Sequence, residues 1–242
     1  MADQTTPPQS HTPARALLAR FSPLGTGTLA NVLDRLDING LLSGLKSISP
    51  RPRFVGLART LKAIVGPKGS FTSTDFDVGV TIDGIQPADV LVFDNGGMPI
   101  SMLGGNAVLA AKLRGAVGMI VEGAIRDVDE ILDLEFPGYT RHVVMPAGVT
   151  RLKVIGLNVP VTAGGVEVNP GDIIVADASG VLAIPAARAQ EILMLAEQIE
   201  RKDQIAVKAI HDGQSFSEVL RLVRAPASSN PPSDSINHIK TA

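Results

Sequence analysis

The segment Asp94–Glu130, DNGGMPISMLGGNAVLAAKLRGAVGMIVEGAIRDVDE, constrains the fold more than any other part of the chain. A glycine pair, Gly104-Gly105, opens a run with helical spacing over Asn106–Arg114, and Gly115 supplies a C-cap. The apolar strand Gly118–Val121 follows. Glu122-Gly123 reads as a tight turn, and Arg126-Asp127 then leads into a helix that ends near Leu134. Helix, strand, turn and helix in this order belong to a layered α/β fold. They also gather three kinds of group: unpaired amides at a helix start, a guanidinium and a carboxylate. Such a set suits a small oxoacid held against a hard metal ion.

The flanking sequence extends this pattern. Thr26–Leu36 reads as a helix with Leu29, Val32, Leu33 and Leu36 on one face. Phe54–Val65 is a strand rich in branched residues, closed by Gly66-Pro67; Val78–Gly84 fits a short helix or a strand equally well. Pro87-Ala88-Asp89 turns the chain into strand Val90–Phe93. After Pro137 the strands shorten and the turns tighten: Val154–Leu157, Val159–Thr162, Val166–Val168, Ile173–Ala176 and Val181–Ile184. Pro185 opens a long amphipathic helix from Ala186 to about His211. Early helix–strand alternation and late short strands point to a layered α/β fold with two sheets, not a doubly wound open sheet. Residues 1–13 and 225–242 are rich in Pro, Ser and Thr and are expected to be disordered tails around one domain over 14–224.

Composition removes several function classes. Cysteine is absent, which excludes disulfides, thiolate metal sites and cysteine nucleophiles. The net charge of −2, without a basic cluster interleaved with aromatics, argues against a nucleic-acid partner. No apolar run approaches the roughly 20 residues of a membrane helix, and the opening MADQTTPPQSHTPAR has no charged start followed by an apolar stretch. The expectation is a cytoplasmic protein without a membrane partner. With aromatics at only 3%, the core has to be aliphatic.

Each candidate residue has a plain alternative. The amides of Gly104, Gly105, Asn106 and Ala107 favour an anion at a helix N-terminus, or the glycines serve only to reverse the chain. Arg126 can grip a carboxylate through two parallel hydrogen bonds, or pair with a surface acid. Asp127 can give an oxygen to Mg²⁺ or Mn²⁺, or cap the helix after it; the two roles are compatible. Asp94, at a strand end before Asn95-Gly96-Gly97, is a candidate catalytic group or a turn residue. Glu130, three residues after Asp127 on the same helix face, binds metal-held water or is simply solvated. Gly25-Thr26-Gly27 follows no strand and is no dinucleotide fingerprint; a Walker-type lysine is lacking, and the four histidines have no zinc spacing.

The stretch GGNAVLAAKLRGAVGMIVEGAIRDVDEI resembles the signature of the RraA-like family. That family contains the class II, metal-dependent 4-hydroxy-4-methyl-2-oxoglutarate/4-carboxy-4-hydroxy-2-oxoadipate aldolases and the regulator of ribonuclease activity A. TGTLANVLDRLDINGLLSGLKSISP is similar to the family's opening helix and loop, and NVPVTAGGVEVNPGD with GDIIVADASGVLAIP to its late β-turns, so the likeness runs from about Leu24 to Gly213. The resemblance implies a β/β/α swivelling-type sandwich, assembled as a homotrimer or homohexamer with sites between subunits. It makes Asp127 the metal-binding carboxylate and Arg126 the residue that holds the oxoacid. It makes Gly104–Ala107 the amides that receive the pyruvate carboxylate, and Glu130 the acid three residues after the metal Asp. One position departs. The family's aldolases carry an acid twenty-one residues before the arginine, and that position here is Gly105. The implied function is a metal-dependent lyase cleaving a 2-oxoacid through a pyruvate enolate, by retro-aldol cleavage or oxaloacetate decarboxylation. Without the acid at 105, decarboxylation is expected to survive better. The alternative is a non-catalytic, protein-binding regulator.

Overall fold

The computed structural model describes residues 12–224. The two expected tails lie outside the described residues, apart from residues 12 and 13, which open the first helix. The chain forms two compact units, the first ending at Glu197 and the second beginning at Gln198.

In chain order, the first unit starts with helices α1 (Thr12–Phe21) and α2 (Thr26–Arg35) and strands β1 (Leu41–Leu42), β2 (Lys46–Ser47) and β3 (Phe54–Val65). Helix α3 (Gly79–Asp83), strands β4 (Asp89–Asp94) and β5 (Ser101–Leu103), helix α4 (Gly105–Leu113), strand β6 (Gly118–Ile125) and helix α5 (Val128–Asp133) follow. Strands β7 (Gly138–Val143), β8 (Leu152–Leu157), β9 (Val161–Ala163), β10 (Val166–Val168), β11 (Ile173–Asp177) and β12 (Gly180–Ile184) complete it, with the start of helix α6 (Ala189–His211).

The mixed α/β fold expected from the sequence is present. One ten-stranded mixed sheet has the order β1-β12-β11-β3-β4-β6-β7-β2, with β5 added to β6 and β8 to β3; β9 and β10 form a separate hairpin. Strands β3, β4, β6 and β7 run parallel and form its centre. Strands β4 and β6 are buried on both faces along their whole length, which is why they read as nearly continuous apolar runs. Leu91, Phe93, Met119, Val121 and Ile125 pack with Val108 and Ala111 of α4 and Ile131 of α5. Val90, Val92 and Ile120 face the other way, onto Val161, Ala163, Val166 and Val168 of the β9–β10 hairpin. Alternation along each strand thus sends successive side chains to a helical layer and a β layer. Helix α2 buries Leu29, Val32 and Leu33, the stripe its spacing predicts.

Several local expectations need correction. Glu122-Gly123 is not a turn. Both residues lie inside β6, which continues to Ile125 with a bulge against β7 between Val121 and Ala124. The ambiguous Val78–Gly84 segment is helical, as α3. Helix α1 and strands β1, β2, β5 and β7 were not anticipated. The expected helix from Ala186 begins as a single 3₁₀ turn, Ala186–Arg188, before α6.

The second unit holds the rest of α6 and a further unanticipated helix, α7 (Phe216–Arg224). Ser215 and Glu218 start α7 as a reciprocal cap: the Ser215 amide donates to the Glu218 carboxylate and the Glu218 amide to the Ser215 hydroxyl.

Candidate active site

Extension of β6 to Ile125 carries Arg126 and Asp127 past the edge of the sheet, beside the start of α4. The Arg126 amide donates to the Leu103 carbonyl at 3.1 Å, so β5 and β6 deliver Gly104 and Arg126 side by side. Gly104 is the N-cap of α4 in extended conformation. The close approach explains the glycine: a Cβ there would overlap the Asp127 carboxylate and lie 3.1 Å from Arg126 Nε.

Asp127 occupies the N-cap position of α5 but does not cap it. Its backbone is left-handed (φ 57°, ψ 43°), and its side chain makes no cap hydrogen bond to α5. The carboxylate turns instead toward α4, where Oδ2 accepts the Gly105 amide at 3.2 Å and stands 3.4 Å from Arg126 Nε. A left-handed aspartate is tolerated but strained, and such outliers concentrate at functional sites. Its side chain is 33% exposed and that of Arg126 is 43% exposed, so both reach solvent. Among the described residues Asp127 is the only carboxylate paired with Arg126.

The amides expected to receive an anion are therefore partly used. Gly105 N–H is committed to Asp127, a carboxylate supplied by the chain itself. Helix geometry leaves the Asn106 and Ala107 amides without intrahelical acceptors, because the first bond of this turn is made by Val108 to Gly104. Glu130 projects from α5 over Gly105. A Cβ on Gly105 would overlap its Oε2 and lie 2.9 Å from its Cδ and 3.1 Å from its Cβ. Arg126, Asp127, Glu130 and the start of α4 are thus brought together.

Asp94 is not part of this group. It is buried, Oδ1 accepts the Gly96 amide at 2.7 Å, Oδ2 accepts the Thr162 amide at 3.1 Å, and Lys62 Nζ lies 3.8 Å away. Both oxygens of Asp94, the residue expected to be catalytic, tie the end of β4 to its own loop and to β9. Glu122, also buried, pairs with Arg141 and accepts the Gly164 amide at 2.7 Å; this partner holds the Arg141 guanidinium above its ordinary pKa. Sequence reasoning did not single out Arg141. Its position in β7, a strand without a strong apolar pattern, gave no signal.

Among the described residues no group of three or more His, Cys, Asp or Glu side chains is arranged to hold a metal ion. A hard dication that keeps most of its water needs only one or two protein carboxylates. The exposed Asp127 carboxylate, with Glu130 presented to the same glycine pair, fits that requirement.

This geometry lies within a match to the RraA-like family model, described as Aldolase/RraA, over residues 29–183. The chain belongs to the RraA-like family. It is 31% identical over 196 residues to a protein of Halalkalibacterium halodurans named "Putative 4-hydroxy-4-methyl-2-oxoglutarate aldolase", covering 81% of this chain and 89% of that one. It is 30% identical over 141 residues to the 4-hydroxy-4-methyl-2-oxoglutarate aldolase of Thermus thermophilus, covering 58% and 80% respectively. Among solved structures, Streptomyces coelicolor RraAS2, described as an unusual member of the RNase ES inhibitor RraA family, superposes with a TM-score of 0.71 at 29% identity, over 79% of this chain and 95% of that chain.

Proposed function

We propose that the protein is a divalent-metal-dependent lyase that cleaves a 2-oxoacid through the enolate of pyruvate. The observation that carries this reading is the pair Arg126-Asp127 at the open N-terminus of α4, with Asp127 turned away from its own helix to face that terminus. The names of the Halalkalibacterium and Thermus relatives support the substrate class. Arg126 binds the substrate carboxylate through its fork of donors. The Asn106 and Ala107 amides, with the dipole of α4, add positive potential at the same end. Asp127, with water, holds Mg²⁺ or Mn²⁺, which when bound supplies Lewis-acid polarisation of the 2-oxo group.

Charge grows on the pyruvate fragment as the C–C bond breaks. Fixed donors aimed there stabilise the transition state more than the ground state. Retro-aldol cleavage and oxaloacetate decarboxylation both deliver electrons to that enolate, so the same donors serve both. A homotrimer or homohexamer is proposed as the working assembly. Exposed Leu113, Val143 and Met145 in the first unit are apolar side chains that such an assembly would cover. Among the described residues no helix is long and apolar enough to cross a membrane.

The test is pyruvate release from 4-hydroxy-4-methyl-2-oxoglutarate and from oxaloacetate, with Mg²⁺, Mn²⁺ or chelator, for wild type, Arg126→Ala and Asp127→Ala. Metal-dependent release lost in both variants is the expected result. Folded, metal-supplied protein silent on both substrates would refute the lyase and favour the protein-binding regulator.

A further inference from the structure

Arg141 is held along one edge and open along the other. Its Nε donates to Oε1 of Glu122, and Oε2 of that buried glutamate accepts the Gly164 amide at 2.7 Å. The carboxylate is thus fixed from two sides and fixes the guanidinium in turn. Nη1 and Nη2 make no hydrogen bond among the described residues, and the side chain is 31% exposed. Two loops close on the guanidinium with main chain only. A Cβ on Gly44, in the β1–β2 connection, would lie 2.9 Å from Nη1, and one on Gly97, in the β4–β5 connection, would lie 3.3 Å from Cδ and 3.4 Å from Nε. Both glycines are left-handed, with φ 74°, a conformation that disfavours any side chain there. His142, the next residue of β7, donates from Nε2 to the Gly97 carbonyl at 3.1 Å and pins that loop. Neutralising Glu122 uses the Nε edge alone. The free Nη1–Nη2 edge presents the parallel donors that a carboxylate accepts.

This edge stands at the carboxyl ends of the parallel strands β4, β6 and β7, the end at which such strands receive ligands. The same end carries Arg126. Glu122 precedes Arg126 by four residues along the chain, about 13 Å at full extension, and the β6 bulge between Val121 and Ala124 shortens that path. The Val144 amide donates to the Ile125 carbonyl at 3.0 Å, so β7 leaves the sheet beside Arg126.

We propose that Arg141 binds the distal carboxylate of a dicarboxylic 2-oxoacid and so determines specificity for diacids over monoacids. It rests on the lyase reading above, in which Arg126 takes the carboxylate beside the 2-oxo group. The second carboxylate of 4-hydroxy-4-methyl-2-oxoglutarate then meets Arg141. Each arginine side chain shortens the distance between them from its own end, and the carbon chain of the diacid spans what is left. Glu122 keeps the guanidinium in place when the site is empty, so little ordering remains to be done on binding.

The experiment measures binding by isothermal titration calorimetry, in Mg²⁺, of 2-oxoglutarate and of 2-oxopentanoate, which carries a methyl group in place of the distal carboxylate. Wild type should bind the diacid at least about tenfold more tightly, the worth of one charge-assisted hydrogen bond. Arg141→Lys keeps a charge beside Glu122 but removes the fork, and the double variant Glu122→Gln/Arg141→Met removes the fork without stranding a buried charge. In both variants the preference should fall to within about twofold of unity, with the far-ultraviolet circular dichroism of wild type. Arg126→Lys should weaken both ligands together and leave their ratio in place. A wild type without the preference, or Arg141 variants that keep it, would overturn the assignment. A wild type that shows the preference but releases no pyruvate from 4-hydroxy-4-methyl-2-oxoglutarate or oxaloacetate would instead overturn the lyase reading and leave the carboxylate site standing.

Discussion

Gly123 sits in the β6 bulge that sets where Arg126 and Asp127 emerge, and its replacement by alanine tests whether that bulge is built around Asn95. A Cβ at 123 would overlap Asn95 Oδ1 and lie 2.6 Å from its Cγ and 2.8 Å from its Nδ2. Asn95 cannot simply step aside. It is buried, its Nδ2 donates to the Met98 and Ile100 carbonyls at 3.1 and 3.0 Å, and its Oδ1 accepts the Met98 amide at 2.9 Å. Displacing it forfeits these bonds at about 1 kcal/mol each, while keeping it forces an overpacked contact worth about 1–3 kcal/mol. The cheaper route sets the cost, so Gly123→Ala should lose about 1–3 kcal/mol. The chain has no Trp and a single Tyr, so urea unfolding followed by far-ultraviolet circular dichroism is the suitable assay. In an Asn95→Ala background the same substitution should cost less than about 1 kcal/mol, because the obstructing amide is gone. A Gly123→Ala protein within about 0.5 kcal/mol of wild type, or an equal cost in both backgrounds, would refute the reasoning.

Other outcomes follow from the same contacts. Arg126→Lys replaces a planar fork with a point charge and should lower kcat/KM for pyruvate release by roughly tenfold or more. Asp127→Asn, which tolerates the left-handed backbone, should keep the fold by circular dichroism while weakening Mn²⁺ binding in a paramagnetic titration. Arg141→Ala strands the buried Glu122 carboxylate on the Gly164 amide and should cost about 1–3 kcal/mol in urea, less than a fully buried pair because Arg141 is 31% exposed; adding Glu122→Gln should recover part of it. At Asp177, burial tends to raise the pKa, but the Thr26 amide and hydroxyl, the Ser179 amide and Arg53 outweigh it and hold the carboxyl below its ordinary 3.8. A depressed folded pKa stabilises above the unfolded value and is lost as pH falls through the folded one. The stability gap between wild type and Asp177→Asn should therefore narrow on acidification below about pH 4 in a urea series.

What the sequence made legible followed local rules. Phe54–Val65 coincides with β3, and the turn-bounded apolar runs after Leu152 fall within a residue or two of β8 to β12. Helix α7 carried an unused signal, the Ser215–Glu218 capping box, and α1 another in Pro13 near its start. The reading failed where tertiary contact decides. A glycine in an apolar run marks a bulge as readily as a turn, and only the packing of Asn95 on Gly123 shows which. Strand β7 (GYTRHV) has little apolar alternation and owes its place to pairing with β6 and β2. In the site, Arg126, Asp127, Glu130 and the α4 amides were legible as a cluster, because short connections bring them to one end. That Asp94 turns away, and that Glu130 fills the space over Gly105 from 25 residues further along, depend on side-chain directions no spacing rule supplies.

The conformation of Asp127 is the point at which local stability and function part. An aspartate at an N-cap ordinarily adopts extended backbone and accepts an amide of its own helix, an arrangement worth about 1 kcal/mol. Here the backbone is left-handed and that cap is not made. The strain adds a cost of about 1 kcal/mol or more. In return, the side chain gains one hydrogen bond of 3.2 Å to Gly105 and a 3.4 Å approach to a guanidinium that is 43% exposed. An exposed ion pair contributes at most about 1 kcal/mol, and the hydrogen bond about as much. Local energetics thus come out near balance, with nothing left to favour this geometry over an ordinary cap. What the geometry does achieve is to set a carboxylate against the positive end of a neighbouring helix, beside an arginine and over a glycine that leaves the space clear. That is an arrangement for handling a charged ligand, and it gives Gly104 its reason: a side chain there would push Asp127 back toward the cap it has left.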